Sequence, residues 1–119
     1  MGKLTIGCFA SLVGSMSLDW AVKLSEAALE KGHKVDLWVS GNGVSATIEK
    51  QSAFKDYSSL EKPLIALMEK GLNVTACEAC AEARGFHDDN TLEGVKRFSR
   101  DWYLGSTFDA DRILHIGGE

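Results

Sequence analysis

Two cysteines three residues apart, Cys77 and Cys80, stand in the run Thr75-Ala76-Cys77-Glu78-Ala79-Cys80-Ala81-Glu82-Ala83-Arg84-Gly85. The apolar residues Leu72 to Ala76 predict a strand, and the alanine-rich stretch after them predicts a short helix up to Gly85. A thiol at that junction meets the free N–H groups and the positive pole of the helix, which favour thiolate over thiol. Each pKa unit gained that way corresponds to about 1.4 kcal/mol of preference for the charged form. Cys77 is therefore the candidate nucleophile. Ala76, Ala79, Ala81 and Ala83 leave room around its sulfur. The competing reading is an inert apolar filler between sheet and helix.

Cys80 is a helical neighbour of Cys77. It suits a resolving thiol that closes a disulfide, a second sulfur carrier, or a passive residue. A thioredoxin-type dithiol has the same spacing. The Trp-Cys-Gly-Pro-Cys context is missing, however, and the only proline, Pro63, is no candidate for the cis-proline of such a site. Arg84, seven residues after Cys77 and so about two turns on, is the candidate for binding an anionic substrate. A plain surface cation is its competing reading. Zinc needs four ligands, and His87 has no companion histidine nearby, while Asp88, Asp89 and Glu93 read as groups that solvate a loop. The expectation is no metal and no cofactor. Gly41-Asn42-Gly43-Val44-Ser45-Ala46 matches a dinucleotide pattern in form. It comes after the second strand rather than the first, and a tight turn with a helix start explains it.

The elements that position these residues alternate along the chain. Strands are expected at Leu4 to Ala10, Val35 to Val39, Leu72 to Ala76, Val95 to Ser99 and Arg112 to Ile116. Helices are expected at Ser15 to Lys31, Val44 to Gln51, from Pro63 to Gly71, and at Arg100 to Ala110. Residues 55–58 read as loop. Leu29-Glu30-Lys31-Gly32 and Met68-Glu69-Lys70-Gly71 repeat one joint, a helix stopped by glycine before a strand. The pattern predicts an α/β fold, a three-layer α/β/α sandwich around a mostly parallel five-stranded sheet, with the whole chain 1–119 as one domain. In such sheets reactive groups gather at the carboxyl ends of strands. Cys77 falls there, whereas Cys8 reads as mid-strand and buried.

The chain has 119 residues with 45% hydrophobic and 25% charged, enough for one modest core. A net charge of -4 argues against nucleic-acid binding. Lys96-Arg97 with Arg100 is the one small basic cluster and reads as a solvated edge. No stretch approaches the roughly 20 apolar residues of a membrane span, and Leu4 to Phe9 read as a buried strand rather than a signal peptide. Three cysteines, one of them inside that strand, do not make a secreted disulfide framework. Cytoplasm is the expected compartment. Trp102-Tyr103 is a candidate contact between subunits, with a buried core helix as the alternative.

These residues resemble the DsrE/DsrF/TusD-like sulfur relay proteins over nearly the whole chain. The matching pieces are Ala27-Ala28-Leu29-Glu30-Lys31-Gly32-His33, Gly43-Val44, Cys77 with Gly85 in an Arg-Gly pair, and Ala110-Asp111-Arg112 leading to Gly117. The resemblance implies a compact α/β/α domain in homotrimers or hexamers. It further implies a cysteine, Cys77 by position, that carries a persulfide between a sulfane-sulfur donor and a small TusA-like carrier. Cys80 stands where near relatives have Ala, which opens a subgroup with altered chemistry, such as reduction of a bound polysulfide. The alternatives are a dithiol oxidoreductase using Cys77 and Cys80, and a non-catalytic subunit of a sulfur-handling complex.

Overall fold

The computed structural model describes residues 2–11, 16–53 and 59–117. In chain order its elements are β1 (Lys3–Cys8), α1 (Ser17–Glu30), β2 (Lys34–Val39), a 3-10 helix (Gly41–Thr47) and α2 (Glu61–Glu69). Then come β3 (Asn73–Cys77), α3 (Glu78–Ala83), a short 3-10 turn (Asp88–Asn90), β4 (Lys96–Phe98), α4 (Arg100–Phe108) and β5 (Arg112–Ile116). The strands form one sheet in the order β4-β3-β2-β1-β5. Every pairing is parallel, as the alternation of strands and helices requires. The loop expected at 55–58 lies outside the described residues.

The repeated glycine joint is real. Gly32 and Gly71 both take positive φ, 84° and 107°, just past the ends of α1 and α2. The His33 N–H donates to the Ala28 carbonyl and the Leu72 N–H to the Leu67 carbonyl, which closes each helix end. Pro63 is the third residue of α2 rather than its first, still within the turn where a missing N–H costs nothing.

The helix expected at Val44 to Gln51 is instead the tighter 3-10 coil at Gly41–Thr47. Two glycines weaken an α-helix there. Ser45 Oγ and Thr47 Oγ1 also donate back to the carbonyls of Asn42 and Val44, competing with the helical pattern. Close approach explains Gly43: a Cβ on it would stand 3.0 Å from the Cys8 carbonyl oxygen and 3.1 Å from that of Ala10. The dinucleotide-like motif thus packs a coil onto the end of β1.

The two faces of the sheet are built differently. Leu18, Ala21 and Val22 of α1 and Leu64 and Leu67 of α2 bury Ile6, Val35, Leu37, Val39, Val74 and Ala76 in an aliphatic core. On the other face α4 lies on Trp38, whose ring stacks with Trp102 at 6.1 Å and with Tyr103 at 5.9 Å. Gly7 gives Tyr103 its space, since a Cβ there would stand 2.5 Å from the phenol oxygen. Ser106 Oγ donates to Asp36 at 2.7 Å and meets Thr5 Oγ1 at 2.9 Å, while Lys3 pairs with Asp36 at 3.2 Å. Those buried polar groups are satisfied by one another, as a core requires. Trp102 and Tyr103 are therefore committed to the sheet. The apolar side chains left outward on α4 are Leu104 and Phe108, and edge strand β5 exposes Ile113 and Leu114.

Candidate functional site

Cys77 ends β3 and Cys80 lies one turn on, inside the six-residue α3. The register pairs Cys8 with Val39 and Val39 with Ala76, so Cys77 stands one residue beyond the level of Cys8 and on the opposite face. Its neighbour in β4 is Phe98, in an edge strand of only three residues. Both sulfur-bearing side chains are half-buried, resting against the margin of the core rather than inside it. They open together into a cavity of about 500 Å³, whose lining includes Ser40, Glu78, Ser99 and Arg100.

Cys8 is buried, as expected, but it is the last residue of β1 rather than a mid-strand residue. In the strand order 4-3-2-1-5 the direction reverses between β1 and β5, where ligands of open sheets commonly bind. Here that point is filled by Phe9 stacked on His115 at 4.5 Å and by Gly117 packed against Ala10. The cavity lies at the same end of the sheet, but at β3.

The charge at the site is placed differently from the sequence expectation. Burial pushes the Cys77 thiol up, and hydrogen bonding with Cys80 adds to this. Hydrogen bonds from the Cys80 amide and from Ser40 oppose the shift only in part. For Cys80, burial also acts upward, but it is outweighed. Hydrogen bonds with Cys77, with Ser40 Oγ at 3.6 Å and with the Gly41 N–H, together with the charge of Arg84, bring it below the ordinary thiol range. The two thiols titrate as an interacting pair, with Cys80 the more acidic partner. The helix-start setting expected to favour thiolate at Cys77 thus acts against burial there, and the lower-pKa thiol of the pair is Cys80. A helix of six residues offers Cys77 too few aligned amides to offset the cost of burial.

Arg84 does not face Cys77. The residue caps α3, and its guanidinium donates to Asn42 Oδ1 at 2.9 and 2.7 Å and to the Cys80 carbonyl at 2.9 Å. Seven-residue phase fails because Cys77 precedes the helix and Arg84 comes after it. The cation that lines the cavity is Arg100. Ser40 and Ser99 also line it, and sequence reasoning misses them because they belong to loops whose position the sequence does not disclose. The basic cluster is a solvated edge only in part. Arg97 is held against the loop after α3 by donating to the carbonyls of Phe86 and His87 and to Thr91 Oγ1, and it approaches Glu82 at 3.6 Å. Glu82 in turn meets His87 at 2.8 Å. Among the described residues, no three His, Cys, Asp or Glu side chains gather as a metal site would need.

A family model for the DsrE/DsrF-like proteins matches residues 10–116. The chain belongs to the DsrE/DsrF-like family. That family is generally related to sulfur relay. A curated relative, the uncharacterized protein MJ0989 of Methanocaldococcus jannaschii, is 27% identical over 96 residues, covering 79% of this chain and 82% of the relative. The ychN protein from E. coli superposes with a TM-score of 0.88 at 24% identity, covering 97% of this chain and 99% of that one. MTH1491 from Methanobacterium thermoautotrophicum, a protein of unknown function, gives 0.80 at 13% identity over the same shares. At those identities the structures establish the DsrE fold. No helix among the described residues is long and apolar enough to cross a membrane.

Proposed function

We propose that this DsrE-like protein accepts sulfane sulfur as a persulfide on Cys77 and hands it to a small TusA-like carrier or a related acceptor. One observation carries the reading: two free thiols share a single open cavity, and hydrogen bonds with Cys77, Ser40 and the Gly41 N–H, with the charge of Arg84, lower the pKa of the second. Cys80 is the resident base. Its lowered pKa makes it a weak nucleophile for its charge, whereas Cys77, once deprotonated, is the stronger one.

The steps balance. Cys80 thiolate takes the Cys77 proton, and the Cys77 sulfur bonds the outer sulfur of a donor R–S–SH. The inner S–S bond breaks, and its electron pair leaves on R–S⁻. In delivery, an acceptor thiolate bonds the outer sulfur of Cys77–S–SH, Cys77 leaves as thiolate, and Cys80 returns the proton. No metal or organic cofactor enters. Arg84 acts through the charge on Cys80 and not as a direct substrate ligand, a revision of its expected role. Leu104, Phe108 and the open edge of β5 support assembly into a homotrimer or hexamer, which light scattering measures directly. The cytoplasm suits a carrier that depends on free thiols.

The proximity of the sulfurs also favours a second reading, a dithiol oxidoreductase. There Cys80 attacks the inner sulfur of the Cys77 persulfide, expels HS⁻ and leaves a Cys77–Cys80 disulfide. Intact-mass spectrometry after exposure to a sulfane-sulfur donor separates the two. For a relay, the added mass of about 32 Da (one sulfur) is lost in Cys77→Ser and retained, formed more slowly, in Cys80→Ser. A disulfide without added sulfur in the wild type, with both variants inactive, contradicts it. No sulfur uptake in any form points to a non-catalytic subunit.

A further inference from the structure

The cavity at the cysteine pair is larger than handing sulfur between proteins requires, and its mostly apolar surface includes a few charged side chains. A sulfur offered to a docking protein needs exposure only, whereas about 500 Å³ is the size of a small-molecule site. Three charged residues line it, among them Arg100 at the start of α4 and Glu78 at the start of α3. Among the described residues neither has a hydrogen-bond or ion-pair partner, and they do not pair with each other. Glu82, the other carboxylate of the lining, is already committed to His87 and Arg97. The lining therefore includes one cation and one anion without a side-chain partner, in the cavity that both cysteines share. Ser99, which precedes α4 and also lines the cavity, makes no side-chain cap.

A purely anionic donor would gain at Arg100 and lose at Glu78. A neutral donor would use neither. A ligand with both charges close together uses both, and charge-assisted contacts are the strong ones. Resting on the sulfur-relay reading above, we propose that the cavity binds a small zwitterionic organic persulfide of the α-amino-acid type as its sulfur donor. The donor carboxylate faces Arg100, its ammonium faces Glu78, and its terminal sulfur faces Cys77. The transfer is the balanced step already written, with R–S⁻ the amino-acid thiolate that departs.

The test compares cysteine persulfide, its N-acetyl derivative and the N-acetyl methyl ester as donors to the purified protein. Sulfur gain at Cys77 is timed by mass spectrometry, and each rate is divided by that donor's rate with a free small thiol. The wild type is expected to take sulfur from the zwitterion about tenfold faster than from the ester, roughly one good charged contact. Arg100→Gln should collapse that preference toward unity, while Arg100→Lys keeps part of it. Glu78→Gln should bring the N-acetyl donor up to the rate of the zwitterion. Both positions are exposed, and unchanged thermal unfolding confirms that the variants fold. Equal normalised rates for the three donors, or a preference that survives Arg100→Gln, overturn the donor assignment alone. Failure of every donor and of inorganic polysulfide to load Cys77 overturns the relay reading along with it.

Discussion

β1 and β3 each end in a cysteine, one residue apart in register, and the two ends have opposite fates. Cys8 points into the aliphatic face, between β2 and β5, with the 3-10 coil seated on its carbonyl through Gly43. It is fully buried. Cys77 points to the face where α4 packs on β1 and on Trp38 of β2, and its outer neighbour is a three-residue edge strand. A single step along a strand moves a side chain from one face to the other. Exposure of the sulfur is therefore decided here by parity and by what covers each face, not by the type of residue or by its place at a strand end.

The largest expected effect comes from removing the bed of α4. Trp38→Ala should cost about 3–5 kcal/mol of stability, the usual penalty for truncating a buried aromatic, measured by urea unfolding. It should disturb the reactivity of Cys77 while Cys8 stays unreactive in the native protein. If Cys8 becomes reactive as well, the two ends are not independent. Next comes the seal over Cys8. Gly43→Ala brings a methyl group to 3.0 Å from backbone oxygen that cannot yield, and it should cost about 1–3 kcal/mol. Unchanged stability would show that the coil sits more loosely on β1 than the geometry implies.

The smallest effect concerns charge at the open end. Because the Cys80 pKa is lowered, its thiolate forms as pH rises through a midpoint below that of an unperturbed thiol, about 8.5. The rate of iodoacetamide alkylation of the pair should therefore rise at lower pH in the folded protein than in the unfolded chain. Arg84→Ala removes a positive charge near Cys80, so the midpoint should move up. At neutral pH the rate should fall by about two- to fivefold, the range for a solvent-screened charge. A folded midpoint at or above that of the unfolded chain would contradict the lowered pKa of Cys80.

Much of this is written plainly in the chain. Strand positions come from apolar runs bounded by glycine, and the repeated Lys-Gly joints mark where α1 and α2 stop. The cysteine pair and its place at the end of β3 are equally legible, because both depend on local pattern. The hidden part depends on distant contacts. Arg97 looks like a surface cation in the sequence because its partners, the Phe86 and His87 carbonyls, are set by the fold of a loop. Arg84 looks like a partner of Cys77 only while α3 is taken as longer than its six residues. The lowered pKa of Cys80 depends, beyond Cys77, on Ser40 and Gly41, some forty residues earlier, and no helical rule reveals them.

The central claim is that sulfur is carried at the open strand end and nowhere else. Brief exposure of the native protein to a sulfane-sulfur donor, capping of the thiols, digestion and peptide mass spectrometry would locate the added sulfur cysteine by cysteine. The account predicts it on Cys77, with Cys8 unmodified. Sulfur on Cys8, on Cys80 alone, or on no cysteine would contradict it.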